Sequence, residues 1–206
     1  MSAATLLSFW FFSLMFVMTP GADWAYAITA GIRGRQVPAV TGLVFGYVVL
    51  TIVVAAGIGP LVAGNTAAMT LLTVMGALYL AWLGIGMLRH PPAPIAVGEE
   101  VGQVSWRSAA MKGALVSGLN PKAFMFFLAF LPPFTVSDAA WQIPTQLFTL
   151  GMVYTVSCSV VYMLVGYGAS IVLSTRPAAA CFVGRVSGII MLLLGAFLLY
   201  RQLSHY

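Results

Sequence analysis

Two short segments interrupt apolar sequence with groups that can bind a charged ligand: MTPGAD at 18–23 and LNPKAF at 119–124. Each has a polar residue before a proline and a charged residue shortly after it. The residues concerned are Thr19, Pro20, Gly21 and Asp23 in the first segment, and Asn120, Pro121 and Lys122 in the second. In apolar surroundings, such charges can hold a zwitterion, and a carboxylate can also take up a proton.

The prolines predict helix breaks. Proline removes one backbone hydrogen bond and clashes with the preceding turn, which costs about 3 kcal/mol in a helix interior. Thr19 and Asn120 are residue types that cap helix N-termini, and proline is favoured at the first helical position. Each segment is therefore expected to begin a half-helix, whose N-terminal N–H groups attract an anion such as a carboxylate.

The composition indicates that both segments lie in a membrane. Hydrophobic residues make up 61% of the 206 residues, charged residues only 6%, and the mean hydropathy is +1.01. A soluble domain carries about a quarter charged residues. The nine Lys and Arg residues are scattered at the ends of apolar runs, which favours a role in membrane orientation over nucleic-acid binding.

Six apolar stretches approach or exceed the roughly 20 residues that a helix needs to cross a bilayer. The predicted spans are 4–30, 37–58, 66–88, 108–134, 144–173 and 181–202. Because backbone in lipid must satisfy its own hydrogen bonds, the predicted fold class is an all-α integral membrane protein with six transmembrane helices. The two proline segments fall inside the first and fourth spans, near the middle of the membrane.

The polar interval at 89–107 divides one transmembrane domain, residues 1–206, into two sets of three helices. The loops after the first, third and fifth helices contain Arg or Lys, whereas the loops after the second and fourth contain none. The positive-inside rule therefore places both termini outside. Structurally similar halves would then be inverted, as in many secondary transporters, with repeat one at about 1–88 and repeat two at about 108–206.

Asp23 is the only acidic residue well inside a predicted span, and two interpretations of it stay open. A salt bridge between Asp23 and Lys122 would only hold the two halves together. Alternatively, Asp23 binds substrate or a proton, because charge near the membrane centre is costly and usually functional. Both roles can occur at different stages of one cycle.

Other classes of membrane protein find less support in the sequence. His90 and His205 lie outside the predicted spans, so the paired base or metal ligands of an intramembrane protease are not expected. No metal, cofactor or ATP-binding motif is expected either. A membrane thiol–disulfide carrier using Cys158 and Cys181 remains an alternative, although neither cysteine lies beside a proline break.

Four stretches resemble the lysine exporter (LysE/RhtB) family of bacterial amino-acid exporters: MTPGADWAYAITAGIRGRQVPAVTGLVFG, MGALYLAWLGIGMLR, GALVSGLNPKAFMFFLAFLPPF and RVSGIIMLLLGAFLL. The resemblance covers nearly the whole chain, and it implies that the two proline segments are the family's characteristic motifs. Two residues depart from the pattern. Ala22 replaces the usual second proline, and Tyr47 stands where an acidic residue or histidine is frequent. The resemblance then implies that proton coupling depends more heavily on Asp23.

The resemblance and the breaks together predict a secondary exporter of small amino acids or close derivatives, coupled to protons, in the bacterial cytoplasmic membrane. N–H groups near Gly21 and Lys122, together with the Lys122 ammonium, would hold the substrate carboxylate, and Asp23 would hold the substrate ammonium. The expected partners are the amino acid, protons and the lipid bilayer, and a homo-oligomer is left open. An exporter of another small cation or metabolite is a further alternative.

Overall fold

The computed structural model describes residues 1–58, 65–90, 105–136, 139–168 and 177–204, and its regular elements there are all helical. The α-helices are α1 Ala3–Val17, α2 Ala22–Ile32, α3 Gln36–Val53, α4 Thr66–Arg89, α5 Trp106–Gly118, α6 Pro121–Met125, α7 Ile143–Gly168 and α8 Pro177–Ser204. The π-helical turn Val54–Ile58 continues α3. The π-helical turn Phe126–Phe130 and the 3-10 turn Pro132–Phe134 continue α6. The predicted all-α class is confirmed for this part of the chain.

Two single helices and two bent helix pairs are suited to cross a membrane. The segment Gln36–Gly57 and the helix α7 are each long and apolar enough alone. α1 and α2 meet at 63°, and α5 meets Pro121–Phe134 at 45°, so each pair can form one further crossing. Within the described residues this gives two to four candidate spans by length and composition. The count of six spans and the inverted repeat remain predictions.

The predicted span boundaries lie within a few residues of the observed helix ends wherever both are described. The break inside the first span and the break inside the fourth span are both present. Most of the predicted loop at 89–107, the end of the predicted fifth span at 169–173, and His205 lie outside the described residues.

Glycines allow α3 and α5 to pack with their backbones in contact. This pair and the pair α4 and α8 form the most extensive helix contacts among the described elements. A Cβ atom added at Gly42 would overlap the Ala110 carbonyl oxygen, and one added at Gly46 would lie 2.6 Å from Ala114 O. The GxxxG spacing therefore serves close helix packing, which fixes α3 against the span that carries the second break.

The core around the two bends is aromatic. The rings of Phe16 and Phe126 stack with centroids 4.5 Å apart, and Phe126 stacks on Tyr154 at 4.4 Å. Tyr47 meets Tyr154 edge to face at 5.3 Å. All four rings are buried. Aromatic packing of this kind adds specific geometry to apolar burial, so a packed aromatic layer encloses the polar groups of the bends on this side.

Candidate functional site

The two helix breaks meet inside the bundle. Asn120, at the second break, donates a hydrogen bond of 2.6 Å from Nδ2 to Oδ2 of Asp23, just after the first break. Asp23 is 2% exposed and Asn120 is 6% exposed. The two breaks therefore lie close together, as a shared substrate site requires, and the contact joins residues 97 positions apart in the chain.

The second break is capped by its own side chain, as the sequence predicts. Asn120 has extended backbone and is the N-cap of α6, with Pro121 at the first helical turn. Its Oδ1 atom accepts a hydrogen bond of 3.0 Å from the Lys122 N–H. The same amide thus satisfies a helix N-terminus with its oxygen and a carboxylate with its nitrogen.

The first break is built differently, and the predicted capping role of Thr19 is wrong. The N-cap of α2 is Gly21, which has extended backbone and makes no capping hydrogen bond through a side chain. Thr19 instead donates from Oγ1 to the Met15 carbonyl at 3.0 Å. The reason is that Pro20 and Gly21 separate Thr19 from α2, so Thr19 stays at the end of α1 and bonds back to the preceding turn.

Helix α1 ends in the protein interior, and its carbonyls find partners from three sources. Thr19 Oγ1 bonds Met15 O, and Trp24 Nε1 donates to Val17 O at 2.8 Å. The third source is the Lys122 ammonium. Carbonyls at a helix C-terminus have no partner within the helix, so the bonds to Met15 O and Val17 O satisfy groups that the break would otherwise leave without one.

Lys122 reaches across from the second break to the end of α1. Its Nζ donates to Thr19 O at 2.7 Å and to Phe16 O at 3.3 Å, and it lies 4.6 Å from the centroid of the Phe16 ring. Its aliphatic stem passes close to Gly21, where an added Cβ atom would lie 3.5 Å from Lys122 Cδ. Lys122 is 7% exposed. A cation at a helix C-terminus and over an aromatic face is favourable on both counts.

The arrangement bears on the alternative of a salt bridge between Asp23 and Lys122. Both hydrogen bonds of the Lys122 ammonium go to backbone carbonyls. Asp23 receives its hydrogen bond from Asn120. The two halves are therefore joined through Asn120 and through the α1 carbonyls, while the carboxylate and the ammonium have separate partners.

The second carboxylate oxygen of Asp23 is the unusual atom of the site. Oδ1 is buried and has no hydrogen-bond partner. Asp23 is the only acidic residue among those that the structure describes. The Tyr47 hydroxyl lies beside this carboxylate and 3.4 Å from the Tyr162 hydroxyl. Buried polar atoms are nearly always satisfied, so an orphaned carboxylate oxygen is suited to receive a proton or a ligand N–H group.

The structure thus brings together most of the residues that the sequence singles out. Those in mutual contact or in the bends are Thr19, Pro20, Gly21, Asp23, Asn120, Pro121 and Lys122, with Tyr47 beside the carboxylate. Sequence reasoning missed Phe16 and Trp24. Trp24 could have been found from its position soon after a break, because an indole N–H turned away from water needs an acceptor and the broken helix supplies free carbonyls.

The cysteine alternative receives no geometric support from the described residues. Cys158 is a buried free thiol on α7, and the side chain of Cys181 lies outside the described part. The described residues contain no group of three His, Cys, Asp or Glu side chains that could hold a metal ion.

Comparisons with known proteins identify one protein family. Residues 14–202 match the family model described as LysE type translocator. A membrane protein of Vibrio cholerae is 32% identical over 59% of this chain and 60% of its own length. The leucine efflux protein of an Enterobacter species is 30% identical over 63% of this chain and 64% of its own length. The threonine efflux protein of Escherichia coli K12 is 29% identical over 68% of this chain and 71% of its own length.

This chain therefore covers less than two thirds of the length of the Vibrio cholerae and Enterobacter relatives. No solved structure matches the chain. The family match, by contrast, extends over nearly the whole sequence and includes both helix breaks. The chain therefore belongs to the LysE type translocators and is a multi-pass protein of the bacterial inner membrane.

Proposed function

We propose that this protein is a secondary exporter of small amino acids or close derivatives, driven by exchange with protons. The observation that carries the proposal is the buried Asp23 carboxylate, with one unpartnered oxygen, at the point where two broken helices meet. The substrate class is supported by relatives named leucine and threonine efflux proteins.

The proposed site holds the two charges of an amino acid at different points. The substrate ammonium binds Oδ1 of Asp23. The substrate carboxylate binds the first N–H groups of α2, near Gly21, where no side chain caps the helix and the helix dipole is positive. The Lys122 N–H is engaged by Asn120, so Lys122 contributes the positive charge of its ammonium beside Gly21 rather than its backbone.

Proton coupling follows if Asp23 binds either a proton or the substrate ammonium. A proton on Oδ1 would convert the orphaned acceptor into a donor, and a bound ammonium would supply the missing hydrogen bond. Because the two ligands compete for one oxygen, substrate must leave before the carboxylate is protonated. Tyr47, buried beside Asp23, offers a neutral hydroxyl that can hydrogen-bond to either form.

We also propose the inverted repeat of three helices plus three. A twofold relation would pair α3 with α7 and α4 with α8, and each of these pairs is in contact. The same relation would place the α3–α5 contact in correspondence with a contact between α7 and the bent pair α1 and α2. Both contacts are observed. This correspondence of contacts supports the repeat, and the two bent pairs occupy equivalent places in it.

The transport test uses inverted membrane vesicles, in which export appears as uptake. We expect labelled leucine, threonine or lysine to accumulate when the vesicle interior is acidic, and a protonophore to stop it. Asp23→Asn keeps the size and shape of the side chain but removes its negative charge. We expect this variant, at equal membrane abundance, to show only background uptake under a proton gradient. Asp138→Asn, in a predicted loop, is the matched control. Uptake by Asp23→Asn at the wild-type rate would show that the carboxylate has only a structural role.

The same vesicles separate the alternatives. The double variant Cys158→Ala/Cys181→Ala should retain uptake, because transport by a zwitterion site needs no thiol. Loss of activity in this variant, with activity kept in Asp23→Asn, would favour the thiol–disulfide carrier. If amino acids fail to accumulate and a labelled small cation or another metabolite accumulates instead, the protein exports that class of compound.

Membrane orientation is tested by fusions to the complete chain. We expect alkaline phosphatase attached after Tyr206 to be active and green fluorescent protein at the same place to be dark, because the arginine distribution predicts an external C-terminus. The opposite pair of results would mean an odd number of spans or a failure of the charge rule.

A further inference from the structure

A groove of about 350 Å³ extends along α2 from Ala25 to the turn that follows the helix, and it faces the first turns of α5. Its lining includes none of the broken-helix residues, and Arg33, at its far end, is ten residues of helical rise, or about 15 Å, from Asp23. Its polar side chains are three cations, Arg33, Arg35 and Lys112, and three hydroxyls, Tyr26, Thr29 and Ser108.

The charge of the groove selects an anion. The Tyr26 hydroxyl donates to Ala109 O at 2.5 Å and the Thr29 hydroxyl donates to Ala25 O at 2.7 Å, so both hydroxyl protons are already committed. Lys112 is exposed, and its Nζ lies 6.0 Å from the Tyr26 ring centroid. None of the described residues lining the groove is acidic. The exposed charged donors that the groove presents to a ligand are therefore Arg33 and Lys112.

The surface beside the groove is apolar, which narrows the class of ligand further. Ser108, Lys112, Leu115 and Leu119 follow one another along α5 and its C-cap at helical spacing, so they form one stripe. The stripe begins in the groove and ends in leucines that are 53% and 76% exposed. Trp106, also exposed, lies at the start of α5, where tryptophan typically marks the membrane interface.

We propose that this groove binds the phosphate of an anionic phospholipid, with an acyl chain along Leu115 and Leu119. The apolar stripe that continues from the cations favours a lipid over a free anion, because an acyl chain can lie along the exposed leucines of α5 while the headgroup contacts the cations. Basic pockets between membrane helices on the cytoplasmic side are suited to anionic headgroups, and the predicted orientation puts Arg33 and Lys112 on that side. The bound lipid would bridge α2, which carries Asp23, to α5.

The test measures lipid binding to delipidated protein in detergent by native mass spectrometry. Phosphatidylglycerol and phosphatidylethanolamine with identical acyl chains are titrated separately. We expect tighter binding of phosphatidylglycerol, weakened by added salt. Each cation at an anionic lipid surface contributes roughly fivefold in affinity, so Arg33→Gln/Lys112→Gln should lose on the order of twentyfold for phosphatidylglycerol. Arg89→Gln/Arg185→Gln, which removes two exposed cations outside the groove, should bind like the wild type.

Two further arms distinguish a lipid from a soluble anion. Leu115→Gln should weaken phosphatidylglycerol binding, whereas glycerol phosphate in millimolar excess should not displace the lipid. Helical circular dichroism and a single elution peak establish that each variant is folded. Equal affinity of the wild type for the two lipids would overturn the proposal without any variant. An equal loss in the control pair, or efficient displacement by glycerol phosphate, would also overturn it, the latter in favour of a soluble-anion site.

Discussion

The two helix breaks share a sequence pattern but satisfy their polar groups in different ways. At the second break, Asn120 caps the helix that it precedes. At the first break, α2 has no side-chain cap, and its carboxylate is bonded by Asn120 from the other half. The end of α1 likewise depends on Lys122 from the other half. The second break is therefore locally complete, and the first is completed by the second.

This one-sided dependence suggests how a binding site can stay responsive. The uncapped N-terminus of α2 and the free oxygen of Asp23 are both on the first break, where a ligand can still add hydrogen bonds. The second break has used its capping groups and supplies fixed donors. We interpret the second break as the rigid side of the proposed site and the first as the side that responds to substrate.

The largest effect on stability is expected from Asn120→Leu. It removes a helix cap, worth about 1 kcal/mol, and leaves a second buried carboxylate oxygen without a donor, which costs about 1–3 kcal/mol. We expect the free energy of unfolding, measured by SDS titration in mixed micelles, to fall by about 3 kcal/mol. Asn120→Ser, which can still cap, should lose less. Equal losses would mean that the cap contributes nothing and that the whole loss comes from the bond to Asp23.

Lys122→Met should come next. The substitution keeps an unbranched apolar stem but removes the ammonium from Phe16 O and Thr19 O. Hydrogen bonds to a charged group contribute about 1.5–3 kcal/mol, partly offset here because a buried charge is also removed. We expect a loss of about 2 kcal/mol in the same titration. Lys112→Met, an exposed lysine on the same bent pair, should change stability by less than about 0.5 kcal/mol. A stabilised Lys122→Met would show that burial of the charge outweighs its bonds.

Trp24→Phe tests a bond that the first half makes for itself. The phenyl ring keeps most of the apolar contact but cannot donate to Val17 O, which Trp24 Nε1 reaches at 2.8 Å. A neutral hydrogen bond contributes about 1 kcal/mol, so a loss of that size is expected. A loss as large as that of Lys122→Met would contradict the view that the first break depends mainly on the other half.

Thr19→Val should have the smallest effect. Its hydroxyl bonds the Met15 carbonyl and caps no helix N-terminus, and such bonds to the preceding turn contribute little to helix stability. We expect a loss below about 1 kcal/mol, and Thr19→Ser should retain the bond. A loss similar to that of Asn120→Leu would indicate that the two residues before the prolines are equivalent after all.

The sequence by itself determined the membrane class, the helical fold of the described residues, the positions of both breaks and the cap formed by Asn120. These follow from local chemistry: apolar length, the missing N–H of proline, and the reach of an asparagine side chain to an N–H two residues later. Thr19 shows the limit of such reasoning. It has the same pattern as Asn120, but Pro20 and Gly21 both precede α2, whereas Asn120 is followed at once by α6. This spacing changes which backbone group the Thr19 hydroxyl can reach.

Only the tertiary structure decided which partners the charged groups choose. Nothing in the spacing of Asp23 and Lys122 shows that the carboxylate bonds Asn120 while the ammonium bonds the end of α1. That outcome depends on how α3 and α5 approach through their small residues, and on the rotation and bend of each helix. Side chains a hundred positions apart meet only when packing has fixed these angles, so their hydrogen bonds are properties of the assembled bundle.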